Sequence, residues 1–428
     1  MKLLNRLRLR AGQAVFAGLS LAERVRHGKQ TVGLFSPEFR ENPHQVFARA
    51  RPRGAIYYSL ALRSWWVTSF DLVREVLRDP RFSSDIRNFP KRADTIRRQF
   101  GDDAFQLESF ENPSMLNLDP PDHTRIRRLA TYAFTTKYIA SLEPRITAIV
   151  DRCLDSVGNE GTFDVMETLA KPLPAIVIAE MMGLPEADHA KFQAWSEDLI
   201  EGTASTDPEV AERSLASNQA LIDYFAEIIE SRRGAPGDDL IGQLMAAEEE
   251  GDKLNTQELY NTCLLLLVAG HETTTRLIGN GLYWLLKRPE ELAKLRAGPG
   301  LIGGAIEEML RFEPPVMATQ RFALEDMDFH GVDLKRGDSL FIGLAAANRD
   351  PAANDSPDEF IVDRAKPAQV AFGYGIHLCI GATLARLEGR VAFERLLDRY
   401  PELELEGEPD WGTNPFFRGF DELAVRTR

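Results

Sequence analysis

Ten consecutive residues, Phe372-Gly373-Tyr374-Gly375-Ile376-His377-Leu378-Cys379-Ile380-Gly381, set one cysteine among three glycines. Glycines permit a sharp turn and a close backbone approach to a flat partner. An apolar helical pattern starts just afterwards, at Ala382. Cys379 therefore stands on a tight loop at a helix start, where backbone N–H groups and the helix dipole favour a thiolate. Such a thiolate is either a nucleophile or the ligand of a metal that needs a single protein bond.

Two other spacings carry chemistry. Glu308 and Arg311 lie three apart on an expected helix over 304–312 and share a face, which by itself is the mark of an ordinary ion pair. Ala269-Gly270-His271-Glu272-Thr273-Thr274 sits mid-way along the longest apolar helix, after the all-apolar run 264–268. Gly270 weakens that helix, and a threonine there bonds back to the preceding turn and bends it. Local conflict inside a buried helix points to function, although close helix packing at Gly270 is the plainer alternative.

The elements that position these groups follow from periodicity. Asn255 with Glu258 reads as a capping box opening the long helix, which runs to about 287. From 122 to 296 the pattern is almost wholly helical, with breaks at glycine and proline clusters. Helices are expected at 42–49 and 70–77, strands at 55–60 and 65–68, short strands over 321–341 and at the C-terminal end, and a helix over 382–398. The irregular stretch 86–121, with Phe105, Leu107 and Phe110, reads as a lid or binding loop. The expected fold is mainly α with small β-sheets (α+β), one domain over 31–428 behind an extension, 1–30, that is amphipathic or flexible.

Composition narrows the class. The 428 residues are 44% hydrophobic and 27% charged, and carry 51 Lys plus Arg against 65 Asp plus Glu, net −14. That balance argues against general nucleic-acid binding. The only cysteines are Cys153, Cys263 and Cys379, which excludes a disulfide framework and suits a reducing cytoplasm. No apolar run is long enough to span a membrane, and no histidine or cysteine pairing has zinc spacing.

The three motifs in this order resemble the cytochrome P450 family over about 43–425, in its compact bacterial type. The decapeptide matches the family's heme signature, Glu308 and Arg311 its ExxR pair, and 269–274 its oxygen-activation motif. The run 123–127, Arg321 and the run 347–351 match further. The resemblance implies heme b (iron protoporphyrin IX) between the long helix and the helix after the cysteine loop. Cys379 would ligate the iron, with Gly381 near its sulfur and Phe372 beside the heme. His123, Arg127, Arg321 and His377 would bind the propionates. Thr273 would hydrogen-bond dioxygen and Glu272, where many members carry Asp, would relay protons from a resting salt bridge. Glu308 and Arg311 would be structural, with Arg349 or Arg364. Substrate contacts would come from Phe105, Leu107, Phe110, Leu266, Ala269, Val316, Met317, Ala318, Phe416 and Phe417, an apolar set suited to a hydrophobic small molecule.

The implied activity is hydroxylation or epoxidation with dioxygen, by a cytoplasmic monomer. Electrons would come from NAD(P)H through a ferredoxin reductase and a ferredoxin, the latter received by Arg125, Arg128, Arg386 and Arg390. The acid–alcohol pair Glu272–Thr273 disfavours a peroxide-driven reaction. Desaturation, phenol coupling, a heme sensor and a cysteine nucleophile assisted by His377 stand as rivals.

Overall fold

A computed structural model of the chain describes residues 16–92, 94, 113–158, 161–205, 207–246 and 253–427. The central helix Thr256–Leu286 is the longest described element. Its start is set by the expected capping box: Asn255 Oδ1 accepts from the Glu258 N–H, and Glu258 accepts from the Asn255 N–H. Two of the orphan donors at the helix start are satisfied reciprocally, which locates this end in the chain. The helix packs against Pro172–Met181, His189–Gly202, Pro208–Ser231, Ile302–Phe312 and Ala382–Arg399. Because neighbours surround it, its apolar residues face every direction, as a buried helix requires.

The strands are short and lie beside the helices. A five-stranded sheet has the order β1 (Ile56–Ser59), β2 (Ser64–Val67), β8 (Ser339–Ile342), β5 (Thr319–Ala323) and β3 (Phe82–Ser83). β2 runs parallel to β8, with Trp65 opposite Leu340, and the other pairs are antiparallel. A three-stranded sheet joins β4 (Gly161–Asp164), β10 (Ala424–Thr427) and β9 (Leu403–Leu405), and a hairpin joins β6 (Met327–Phe329) to β7 (Val332–Leu334). The early helices stand as expected within a residue or two, at Pro43–Ala50 and Phe70–Arg78.

Three apolar cores result. The largest is helical and contains Leu266, Leu277, Met309 and Phe393. A second lies under the five-stranded sheet around Val73, Leu340 and Ile342. A third collects Phe47, Trp66, Met317 and Ala318. Within the first core Glu308 and Arg311 are fully buried and paired through two bonds of 2.7 and 2.8 Å. Arg311 also donates to the carbonyls of Asn348, Pro357 and Glu359, and Arg364 donates to Glu308. Of the two arginines expected beside this pair, Arg364 is the one that bonds the carboxylate. Arg349 instead donates to the Phe312 carbonyl and pairs with Asp358. The network ties Ile302–Phe312 to the coil that leads into the cysteine loop.

The described part of the N-terminal extension differs from a free tail. Residues 16–27 are helical, and Glu23 is fully buried against Arg53, the Ser59 hydroxyl and the Ala61 N–H. A buried carboxylate with three donors is what anchors this helix on the β1–β2 hairpin.

Candidate active site

The cysteine loop is held from behind by its own backbone. The Cys379 N–H donates to the Phe372 carbonyl at 2.9 Å, and the Gly373 N–H to the Val370 carbonyl at 2.8 Å. Gly375 has a φ of 72°, and a Cβ placed there would lie 2.3 Å from the Leu77 carbonyl oxygen. Only glycine serves at that point, because both the dihedral and the space exclude a side chain. Helix Ala382–Arg399 starts three residues after the cysteine.

Cys379 is exposed by its surface area, yet its thiol pKa is pushed up by burial. The two statements describe different sides: protein crowds the residue, while its surface stays open on another side. The Gly381 N–H, Arg127 and Arg386 oppose the burial effect and favour the thiolate. Arg386 lies over the Phe372 ring at 4.4 Å, so that phenylalanine is sandwiched beside the loop.

Four cationic or donor side chains gather next to the loop. Arg127 donates to the Leu378 carbonyl. The rings of His123 and His377 lie 4.2 Å apart, and His377 Nε2 bonds the Ser84 hydroxyl at 3.1 Å. His123 is 2% exposed, and neither ring nitrogen has a partner among the described residues. Arg321 is 5% exposed, and among the described residues its bonds reach only the adjacent Gln320 carbonyl and the Thr319 hydroxyl. Burial, aided by Arg127 and Arg321, lowers the His123 pKa to about 4; burial, then Arg321 and His123, lowers that of His377 to about 3. Burial also brings Arg321 down to about 10. Asp119 acts on His123 and Arg321, and the Cys379 thiolate on Arg127; no acid is ion-paired with His123, His377 or Arg321 among the described residues, so the cluster is suited to an added anion.

On the central helix, Ala269 is exposed and Thr273 half-buried, although Leu266, Leu267, His271, Glu272, Thr274 and Thr275 are buried. The Thr273 hydroxyl donates to the Ala269 carbonyl at 2.8 Å, the back-bond expected of a threonine in a helix. Glu272 is buried and ion-paired with Arg276, one turn on. Arg276 was missed in the sequence, although the four-residue spacing was there to find it. Glu388 was missed too. It is buried on Ala382–Arg399, with its pKa raised to about 8 by burial against an opposing bond from Thr274.

The expected substrate contacts separate. Phe105, Leu107 and Phe110 lie outside the described residues. Leu266 is buried in the helical core, and Met317 and Ala318 are buried in the third core beside Trp66. Phe416 stacks on Phe341 at 5.8 Å. Val316 and Phe417 are half-buried and bridge one another, and the Met317 N–H donates to the Phe416 carbonyl. The turn after Ile302–Phe312 and the C-terminal loop therefore form one unit. The arginines expected on the proximal face are also engaged: Arg125 with Glu258, Arg386 with Glu307, and Arg390 with Glu143 and Glu394.

A cleft of about 800 Å³ opens elsewhere, lined by His44, Trp284, Glu313, Arg349, Trp411 and Arg418 among others. None of the cysteine-loop or Glu272–Thr273 residues borders it. Glu313 there is already held by His44, Arg418 and Trp284. Its paired charges make it a weaker candidate for chemistry than the open cysteine and His123, which is unpaired among the described residues.

Comparison with known proteins places this geometry. Residues 91–298 and 301–417 match the family model described as Cytochrome P450. The chain is 39% identical over 405 residues to the polyketide biosynthesis cytochrome P450 PksS of Bacillus subtilis (strain 168), covering 92% of this chain and 98% of that one. It is 40% identical over 407 residues to the cytochrome P450 monooxygenase PikC of Streptomyces venezuelae, covering 93% and 94%. Among solved structures, P450BioI in complex with hexadec-9Z-enoic acid ligated acyl carrier protein superposes with a TM-score of 0.83 at 34% identity, covering 91% of this chain and 99% of that one.

Proposed function

The chain belongs to the cytochrome P450 family and is a monooxygenase of that family; from that premise we propose that it hydroxylates or epoxidises a hydrophobic small organic molecule, using heme b. The electrons come from NAD(P)H through a ferredoxin reductase and a ferredoxin. The protein works as a cytoplasmic monomer, with one heme domain over 31–428 behind the segment 1–30.

The family implies a heme-thiolate group, and the residues fit one. Among the described residues His123 is buried with both ring nitrogens unbonded, and Arg321 is buried with no acid paired to it. Two heme carboxylates would satisfy both, with Arg127 and His377 completing the set. Cys379 would ligate the iron, the Gly381 N–H would temper the sulfur, and Phe372 would flank the group. Bound there, thiolate-ligated heme supplies dioxygen activation.

The other roles belong to this chain's own side chains. The Thr273 hydroxyl turns from the Ala269 carbonyl to hydrogen-bond dioxygen. Glu272 leaves Arg276, takes a proton from the solvent side and passes it towards Thr273 Oγ1. Ala269, Val316 and Phe417 shape an apolar wall that orients the substrate and limits water, together with Phe105, Leu107 and Phe110. Leu266, Met317, Ala318 and Phe416 support that wall from the cores behind it.

The observation that carries this reading is the open Cys379 beside the buried His123 and Arg321 and the half-buried Arg127 and His377. The test is the carbon monoxide difference spectrum of the reduced protein. A strongly red-shifted Soret band is expected, and spin-state shifts across a panel of hydrophobic compounds then identify the substrate class. A Soret band that is not red-shifted removes the thiolate assignment and the reaction with it.

A further inference from the structure

Charge is divided sharply along this chain. The first thirty residues hold Lys2, Arg6, Arg8, Arg10, Arg24, Arg26 and Lys29 against the single acid Glu23, a net +6. With −14 for the whole, the other residues carry −20. The structure removes even that one acid from the surface, because Glu23 is buried and neutralised by Arg53. The outward side of helix 16–27 is left with Arg24, Arg26, Leu21 and Val25, all exposed. Leu21 is 63% and Val25 81% exposed, one turn apart on the same face. Phe35, 51% exposed, packs edge-on against Phe16 at the start of the helix.

We propose that helix 16–27 docks this protein reversibly on an anionic phospholipid bilayer, with Leu21 and Val25 entering the interface and the exposed Arg24, Arg26 and Lys29 meeting the headgroups. Large apolar side chains held out of the protein between arginines are the pattern of a helix lying in a membrane interface. An acidic protein would satisfy the cations but would leave Leu21 and Val25 without a reason to be exposed. The helix lies on the membrane rather than crossing it, since no described helix is long and apolar enough to span one. Each cation near an anionic surface raises partitioning roughly fivefold. Three described cations, Arg24, Arg26 and Lys29, with two apolar anchors therefore hold a protein whose remaining surface charge is repelled.

The test is sedimentation of the full-length, heme-loaded protein with vesicles of phosphatidylcholine alone or with added phosphatidylglycerol. Binding to the anionic vesicles should exceed binding to the neutral ones at least tenfold and should fall in about 0.5 M salt. Leu21→Ser with Val25→Ser should lose most of it at an unchanged thermal midpoint, and Arg24→Gln with Arg26→Gln should weaken it about twenty-fold. Equal binding to both vesicle types, absence of binding, or full binding by the Leu21/Val25 variant overturns the proposal. Capture by an acidic protein without vesicle binding overturns it as well, and assigns the segment to a protein partner.

Discussion

Glu272 and Arg276 form a buried ion pair within one turn of the central helix, and the C-terminal loop roofs it. A Cβ on Gly419 would lie 2.8 Å from Arg276 Cγ. The same loop carries Phe417, bridged to Val316. The acid proposed to move protons and the loop proposed to meet substrate thus share one arginine. Among the described residues two further Arg276 nitrogens have no partner, so its grip on Glu272 is open to rearrangement.

Replacing Glu272 by Gln keeps the shape and removes the proton carrier. Turnover should fall roughly 10²-fold, the range of a lost general acid–base group, with a changed solvent isotope effect. Substrate-induced spectral shifts should persist. Unchanged turnover and isotope effect would take Glu272 out of the relay.

Gly419→Ala forces a methyl group against Arg276. Overpacking of this kind costs about 1–3 kcal/mol. Coupling through Arg276 predicts that product formed per NAD(P)H falls in the single variant and that Gly419→Ala adds little on top of Glu272→Gln. Fully additive losses in the double variant would show that the two positions are independent.

Arg311→Lys removes the planar fork that serves Glu308 and three carbonyls at once. Glu308 keeps Arg364, but the carbonyls of Asn348, Pro357 and Glu359 lose donors, at a cost of about 1–3 kcal/mol each. Urea unfolding should show the loss, and heme should be retained in a smaller fraction of the protein. A midpoint equal to that of the parent would contradict the structural role.

Gly375→Ala meets both a positive φ and the Leu77 carbonyl. The cysteine loop must shift, so the heme-to-protein ratio and the red-shifted carbon monoxide band should drop, while the helical content measured by circular dichroism stays. Normal heme content would show that the loop tolerates another path.

Acid should destabilise the fold in two limbs. Burial holds the His44 pKa below its usual value despite Glu313 beside it. Burial alone would raise Glu313, but His44, Arg418 and Arg349 outweigh it and hold that carboxyl below its usual range. A native histidine that stays neutral binds fewer protons than the unfolded one, so stability drops as pH falls below about 6.5. The Glu313 contribution is present above about 4.3 and drains away below it. Urea midpoints between pH 8 and 5 should decline, and His44→Gln should shrink the decline; a flat profile would refute this account.

Much of the architecture was legible because its cues are local. The Asn255–Glu258 box, the all-apolar run before Gly270 and the helix after Gly381 each depend on residues within a few positions of one another. The partition of the substrate candidates was not legible. Met317 and Phe417 look alike as apolar residues in coil, yet one is buried beside Trp66 and the other is half-buried. The arginines expected to receive a partner were equally opaque, since Arg386 meets Glu307 and Arg125 meets Glu258 only after distant helices pack.

The sequence by itself determined the chemistry: a cysteine on a glycine turn, an acid–alcohol pair in a buried helix, and the family both belong to. Those features rest on backbone geometry and residue type over short spans, which the chain writes consecutively. Tertiary structure alone decided that His123 is buried without a partner among the described residues, that Ala269 opens outward from a buried helix, and that Glu23 turns inward while Leu21 and Val25 stay out. Burial and pairing are properties of surfaces brought together from far apart in the chain, and no local pattern specifies them.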